Sequence, residues 1–382
     1  MKKYLKGQSL FQLIDQKRFN ALVKKWEMDK WVQSFSTWEM TQALISCFVM
    51  RIESFREVEA TLKIPDSTFG DALRERAHGF FQELCDLILL EIRAKTDSRK
   101  IKKAIRQILA IDSTEIKVHG SLFDHPGWKK KHCKEAHQAS AKLHVVWNVD
   151  GEWIDDFIIT PGRKNDSPVS LNLRLLQSKT YVFDRAYNDF DFWQKIVDIK
   201  SHFVTRLKEH PRLRMMLMKV LQFQRDKDGV LYDGPYTPLK EKSIELRHII
   251  YRDKLTKKIF HFITSDFASS AKAIAEIYKR RWAVELLFRW LKGHLNIRRL
   301  PTKTPNSIKT QLAVAVLVQL LLQLKKILDQ FDGTLWQLLR SIRTGLNQKI
   351  LAESGSGPGC RWSLNLAADL TSGKYLKSSG QQ

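Results

Sequence analysis

Apolar positions three and four apart run through the first hundred residues, in segments such as KRFNALVKKWEMDKWVQSF and TWEMTQALISCFVMRI, and predict helices joined by short turns. Among them, SFREVEATLKIPDSTFGDALRERAHGFF reads as a helix, a KIPD break and a second helix with Asp66 or Ser67 as its N-cap. Two readings fit that layout: a helix-turn-helix whose second helix carries Arg74 and Arg76 towards a major groove, or an ordinary helical hairpin. From about residue 100 the period changes. QILAIDSTEIKV (107–118), KLHVVWNVD (142–150), EWIDDFIIT (152–160), TYVFD (180–184) and HFVTRL (202–207) are short β-branched and aromatic runs that predict strands. Helical patterns fall in SPVSLNLRLLQ, before the fourth strand, and in DFDFWQKIVDI, after it. The order β-β-β-α-β-α-β begins as an antiparallel meander and then turns parallel through crossover helices, which predicts a mixed α/β sheet with helices on its faces.

Residues 208–263 interrupt this plan. SIELRHIIYRD and KKIFHFITSD are strand-like, DGPYTPLK flanks them with Gly and Pro, and the segment reads as a β-rich insertion. Helix resumes at about 269, continues in a long apolar helix at 307–329 and a shorter one at 334–347, and gives way to a Gly- and Ser-rich tail that reads as loosely ordered. The expected organisation is a helical region at 1–99, a core at 100–207, the insertion at 208–263, the rest of the core at 264–306, C-terminal helices at 307–347 and a tail at 348–382.

Residues 278–292, YKRRWAVELLFRWLK, combine strong apolarity with several charges. As one continuous helix at about 100° per residue, Tyr278, Arg281, Glu285 and Lys292 fall at roughly 0°, −60°, −20° and −40° and share a narrow stripe. Trp282 and Arg289 border it. Val284, Leu287, Phe288, Leu291 and Leu295 on one side, with Ala283, Leu286 and Trp290 on the other, predict a helix buried on most sides. Two explanations of the stripe stand: it faces a charged ligand, or Arg281, Glu285 and Arg289, spaced i, i+4 and i+8, form ion pairs with one another.

Charge bears on that choice. The 382 residues carry 65 Lys and Arg against 41 Asp and Glu, a formal balance of +24, which favours a polyanionic partner and makes nucleic acid the leading one. The N-terminus lacks an uninterrupted apolar h-region, and LAVAVLVQLLLQL at 312–324 is short and broken by Gln319 and Gln323, so a buried helix fits better than a membrane span. A cytoplasmic, nucleoid-associated protein is expected. Cys47, Cys85, Cys133 and Cys360 form no CxxC pair. KKKHCKEAH offers His132, Cys133 and His137 as ligands without a matching second cluster.

Asp112 interrupts an apolar strand and Asp184 ends another, in VFDRAY. A carboxylate in such surroundings must be paired, hydrogen-bonded, metal-bound or protonated. Each could cap its own strand or turn. Together with Glu285, two strand positions and one helix could instead converge on a hard divalent cation.

Tyr-x2-Arg-x3-Glu-x6-Lys, met here by Tyr278, Arg281, Glu285 and Lys292, resembles the signature of the bacterial DDE transposases of the insertion-sequence four superfamily, which includes the transposon five enzyme. The resemblance extends to Asp112 in AIDST, Asp184 in FDRAY and the β insertion before the Glu helix, and covers roughly residues 105–325. It implies an RNase H-like catalytic core behind an all-helical N-terminal domain, with Asp112, Asp184 and Glu285 binding two Mg²⁺ ions (Mn²⁺ substituting). It implies further that Tyr278, Arg281 and Lys292 contact the backbone of the transposon end. Trp282 matches another aromatic of the pattern, and Arg289 and Arg185 are added as phosphate contacts.

The implied activity is cleavage at the terminal inverted repeats followed by strand transfer into target double-stranded DNA. A synaptic homodimer is expected, with the 307–347 helices as its contact. In the best-known relative a tryptophan of the insertion stacks on a flipped base. Residues 208–262 here contain no tryptophan, so Tyr232, Tyr236 or Tyr251 is the alternative and base flipping is unassigned. Lys142, His144, Arg163, Lys164, Asn165 and Asp166 are weaker DNA contacts by position, solvated loop or strand-edge residues being the other reading. Rival functions are an RNase H-like nuclease without strand transfer and a non-catalytic DNA-binding regulator. A glycosidase would explain neither the net charge nor the basic stripe.

Overall fold

The computed structural model describes residues 10–97, 107–122, 125–128, 139–207, 228–236, 244–297 and 302–354, without the side chains of 346–354. The expected insertion is therefore described only in part, and His132, Cys133 and His137 lie outside the described residues.

Helices α1 (Gln16–Lys25), α2 (Thr37–Met50), α3 (Phe55–Leu62), α4 (Asp66–Glu75) and α5 (His78–Asp97) open the chain. Their starts follow local chemistry. Asp15 accepts the Arg18 N–H, Ser36 and Glu39 form a reciprocal capping box, and Ser54 accepts the Glu57 N–H. Helix α4 departs from expectation: Pro65 holds its cap position without a side-chain bond, and Asp66 and Ser67 already lie in the first turn.

The arginines expected to face a groove are also engaged elsewhere. Arg74 pairs with Asp71 at 2.9 Å and Glu75 at 3.6 Å. Arg76 is 8% exposed and donates to the Phe35 carbonyl while lying over that ring. With Asp66, Asp71 and Glu75 also on α4, this helix is a poor match to a phosphate backbone.

Eight strands form one mixed sheet: β1 (Ile108–Val118), β2 (Ala139–Asn148), β3 (Trp153–Pro161), β4 (Thr180–Phe183), β5 (His202–Arg206), β6 (Val230–Tyr236), β7 (Leu246–Arg252) and β8 (Ile259–Thr264), in the order β3-β2-β1-β4-β5-β8-β7-β6. The β1–β2–β3 meander is antiparallel and β1–β4–β5 is parallel, as the alternation of elements predicted. Strand β8 pairs antiparallel with β5, so the strands of the insertion lengthen the main sheet. Gly234 and Pro235, read from the sequence as flanking residues, lie inside β6, where an edge position tolerates proline.

The helix expected over 167–177 is a single short one, α6 (Asp166–Ser170); α7 (Phe190–Asp198) follows β4. Leu109, Ile111, Tyr181 and Phe183 pack with Phe192 and Ile196 of α7 on one face of the sheet. Ile108, Ala110 and Val182 alternate onto the other face, in the core shared with α5, α9 (Trp282–His294) and α10 (Pro305–Leu328).

Helix α10 explains the most apolar stretch of the sequence. It is long and apolar enough to cross a membrane, yet 83% of its apolar window is buried inside the chain. Gln319 and Gln323 donate to the Glu152 and Gly151 carbonyls, which accounts for two polar residues in the apolar run. Its burial leaves this one helix little surface for the dimer contact expected over 307–347. The last helix among the described residues, α11 (Leu335–Ser354), runs past the predicted end at 347 and takes in the first residues assigned to the tail.

Candidate active site

The β1–β4 ladder ends at Ile111–Phe183, which places Asp112 and Asp184 as the next residues on two adjacent parallel strands. Neighbouring strands lie about 4.8 Å apart, so the two carboxylates leave the sheet side by side. Each accepts a nearby backbone N–H through Oδ1: Asp112 from Ser113 at 2.8 Å, and Asp184 from Ala186 at 2.7 Å as the cap of the 3₁₀ turn Arg185–Tyr187. Arg185 is exposed just beyond it.

The third acid comes from a helix that begins later than the sequence predicted. Helix α8 (Ala271–Lys279) contains Tyr278; α9 begins at Trp282, and Arg280 and Arg281 form a turn between them. Arg281, Ala283 and Val284 donate their N–H groups three residues back, to Tyr278, Arg280 and Arg281. The backbone stays in the right-handed helical region through this turn, so Arg281 still reaches Glu285 one turn on. Val284, Leu287, Phe288 and Leu291 bury one side of α9 against the sheet, but Trp282 and Leu286 are 51% and 47% exposed, and Arg289 is exposed too. The expectation of burial on both flanks is corrected at Leu286: on that side Ala283 and Trp290 are only partly buried against the core and Leu286 faces solvent.

Arg281 sits between two of the acids. Its Nη1 donates to Asp112 Oδ2 at 3.1 Å and its Nη2 to Glu285 Oε1 at 2.6 Å. The ion pair offered as one explanation of the stripe therefore exists, but its partner across the fork is the strand carboxylate. Lys292 lies seven residues beyond Glu285, about 10 Å further along the helix.

Burial pushes the Asp112 carboxyl up to about 6; Asp184 and Glu285 add to the rise by repulsion, while the Ser113 N–H and Arg281 oppose it. Three hard oxygen donors, two of which raise the ionisation cost of Asp112, suit a divalent cation in kind. In spacing they do not yet: among the described residues no three acidic, His or Cys side chains lie close enough to share an ion.

Next to the acids a cleft of about 510 Å³ is lined by Tyr251, Phe260, Tyr278, Arg281 and Trp282, among others. Arg206, at the end of β5, lies 4.8 Å over the Phe260 ring and 6.0 Å from that of Tyr278. Arg206 belongs to none of the sequence motifs; a cation ending the strand beside the one that leads to Asp184 was the available signal. Of the three tyrosines named for stacking, Tyr251 lines this cleft, whereas Tyr232 and Tyr236 lie beside His248. Lys142 and Asp166 pair with each other at 3.0 Å, and His144 is fully buried. Arg163 and Lys164 are exposed.

The model of the transposase DDE domain family matches residues 103–321, more than half of the chain. The chain belongs to that family. A DNA transposase is thus the function, and DDE transposases generally use divalent metal ions. Residues 7–67 match a domain of unknown function, DUF4372.

A protein of Sinorhizobium fredii described as a transposase, y4zB, is 28% identical over 273 residues, 70% of this chain and 74% of its own. The transposase of insertion sequence element IS5377 from Geobacillus stearothermophilus is 28% identical over 260 residues, 67% of this chain and 66% of its own. In fold, the transposase is similar to a piggyBac transposase solved in a synaptic complex with hairpin DNA: TM-score 0.50 at 12% identity, covering 98% of this chain and 86% of that one.

The raised Asp112 carboxyl has a consequence for this transposase's stability. Being harder to ionise folded than unfolded, it destabilises the fold above about pH 6, and that penalty fades as pH falls from about 6 to below about 4, where the unfolded carboxyl is protonated too. Asp112→Asn is therefore expected to stabilise the metal-free protein by about 1–3 kcal/mol near pH 8 and by little near pH 4. Thermal melts at the two pH values test this; an equal gain at both would assign the effect to something other than the charge.

Proposed function

We propose that this transposase cleaves DNA at the ends of an insertion sequence and transfers the freed 3′-hydroxyl into target DNA. Asp112, Asp184 and Glu285 would hold two Mg²⁺ ions, with Mn²⁺ substituting. The observation that carries this reading is the alignment of Asp112 and Asp184 just past the end of the β1–β4 ladder, with Arg281 bridging Asp112 to Glu285 of the facing helix. Bound divalent ions supply an activated oxygen nucleophile and charge neutralisation at the leaving oxygen. The chain's own part is to hold the phosphodiester in line beside the three carboxylates.

Arg281 is assigned two states in this scheme. In the free protein its guanidinium neutralises Asp112 and Glu285; when a DNA end docks, it turns to a backbone phosphate, whose geometry suits the same fork. Arg185, Arg289 and Lys292 follow the backbone on either side. Tyr278 and Trp282 belong to the aromatic wall of the cleft, which is the right character for an unstacked base. The helical region at 1–99 is assigned to DNA binding and the sheet with α9 to an RNase H-like core. Two copies would join at synapsis, with terminal inverted repeats and target duplex as the DNA partners, in the bacterial cytoplasm at the nucleoid.

The test is incubation of the protein with duplex carrying the repeats that flank its gene, in Mg²⁺ and in EDTA. Mg²⁺-dependent nicks at the repeat boundary and joined products are expected. Nicks without joining would leave a nuclease, and binding without nicks a regulator.

A further inference from the structure

On the face of the sheet opposite the three acids, a polar cluster lies behind Asp112. Ser113 Oγ donates to Asp166 Oδ1 at 3.0 Å, and Lys142 Nζ donates to the same oxygen at 3.0 Å and to the Lys164 carbonyl at 3.1 Å. His144, wholly buried, holds Thr160 Oγ1 at 2.9 Å through Nε2 and sets Nδ1 3.6 Å from the same Asp166 oxygen. The cluster thus joins α6 to β1, β2 and β3, in a part of the sequence, PGRKNDSP, that the three-acid reading leaves unused.

Its location makes it more than a fastening for α6. The ladder from β1 to β4 stops at Ile111, so the peptide between Asp112 and Ser113 has a strand partner only on the β2 side, where the pairs are Asp112–Val145 and Ser113–His144. On the open side the Ser113 N–H goes to the Asp112 carboxylate itself. The orientation of that carboxylate therefore depends on how firmly Ser113 is held, and Ser113 is held by Asp166. The neighbouring aspartate has a comparable support: Thr205 Oγ1 donates to the Asp184 carbonyl and contacts Asn188 Oδ1.

We propose that Asp166 is a positioning residue that fixes the Asp112 carboxylate through Ser113, with Lys142 holding Asp166 in place. The inference rests on Asp112 serving the reaction as proposed above. Groups that orient a metal-binding carboxylate act on affinity and rate without touching the substrate, and losing one typically costs 10–100-fold.

The experiment uses the full chain with Ser113→Ala, Ser113→Thr, Asp166→Asn and Asp166→Ala, beside the parent and Asp112→Ala. Three quantities are read: Mn²⁺ binding to the protein–DNA complex by electron paramagnetic resonance, single-turnover nicking, and DNA affinity in EDTA. Ser113→Ala and Asp166→Ala should weaken Mn²⁺ binding and slow nicking by about 10–100-fold, with DNA affinity within about twofold of the parent. Ser113→Thr keeps the hydroxyl on a strand-compatible residue and should restore both. Asp166→Asn, whose amide oxygen still accepts from Ser113, should lose less than Asp166→Ala.

Parental Mn²⁺ binding and nicking in Ser113→Ala would overturn the proposal. So would a loss that tracks melting temperature and DNA affinity and that threonine fails to rescue, since a purely structural cluster behaves that way. Parental Mn²⁺ binding in Asp112→Ala would instead remove Asp112 from the reaction, and the inference would fall with that reading.

Discussion

Glu285→Ala is expected to abolish Mg²⁺-dependent nicking at the element end, by about 10³-fold or more, while end binding in EDTA stays within about twofold. The fold has little to lose from the substitution. Helix α9 is anchored by Val284, Leu287, Phe288 and Leu291, and the Glu285 side chain is 32% exposed with a single ion pair to Arg281. Such a half-exposed pair is worth no more than about 1 kcal/mol. The reaction would lose an oxygen donor that no other described acid replaces, because the nearest carboxylates, Asp112 and Asp184, are already assigned. Asp112→Ala and Asp184→Ala should behave alike, and combining any two should cost no more than the worse single change, as expected of groups acting as one unit. Nicking retained by any one variant removes that residue from the set. A parallel fall in DNA affinity would move Glu285 from chemistry to binding.

Where the sequence was readable, burial and period agreed. Strands β1, β4 and β5 are runs enriched in β-branched and aromatic residues with buried cores, so Asp112 could be placed within a strand and Asp184 at the end of one before any register was known. Three features escaped for physical reasons. The break at Arg280–Arg281 carries neither Gly nor Pro and keeps helical dihedrals, so nothing in the residue types announces it. The exposed Leu286 was read as buried because periodicity reports an apolar stripe without reporting what covers it. The union of the insertion with the main sheet depends on β5–β8 pairing across more than fifty residues of chain, a tertiary choice with no local signature. Arg76 shows the same limit from the polar side: an arginine beside a turn looks solvent-facing until a carbonyl, here that of Phe35, is folded against it.

Arg281→Ala is expected to act in opposite directions on the two ligands. In the free protein the guanidinium lies between Asp112 and Glu285 and competes, charge for charge, with any divalent cation drawn to them. Removing it should tighten Mn²⁺ binding to the DNA-free protein about fivefold or more, since a fixed positive charge a few ångströms from the ion is taken away. On DNA the same substitution would delete the proposed phosphate contact: affinity for element ends should fall, the slope of log affinity against log salt should drop by about one, and nicking should slow by about 10²-fold. Arg281→Lys supplies one point charge in place of a planar fork, so it should recover part of the salt dependence and little of the rate. Mn²⁺ titration of the DNA-free variants, set against a salt series with element ends, separates the two effects. Unchanged or weaker Mn²⁺ binding by Arg281→Ala would show that the bridge is a structural ion pair and that metal loading is independent of it. Tighter binding without DNA and slower nicking with it would mean that one side chain keeps the acids neutral until an end displaces it, which couples assembly of the metal site to the presence of the DNA to be cut.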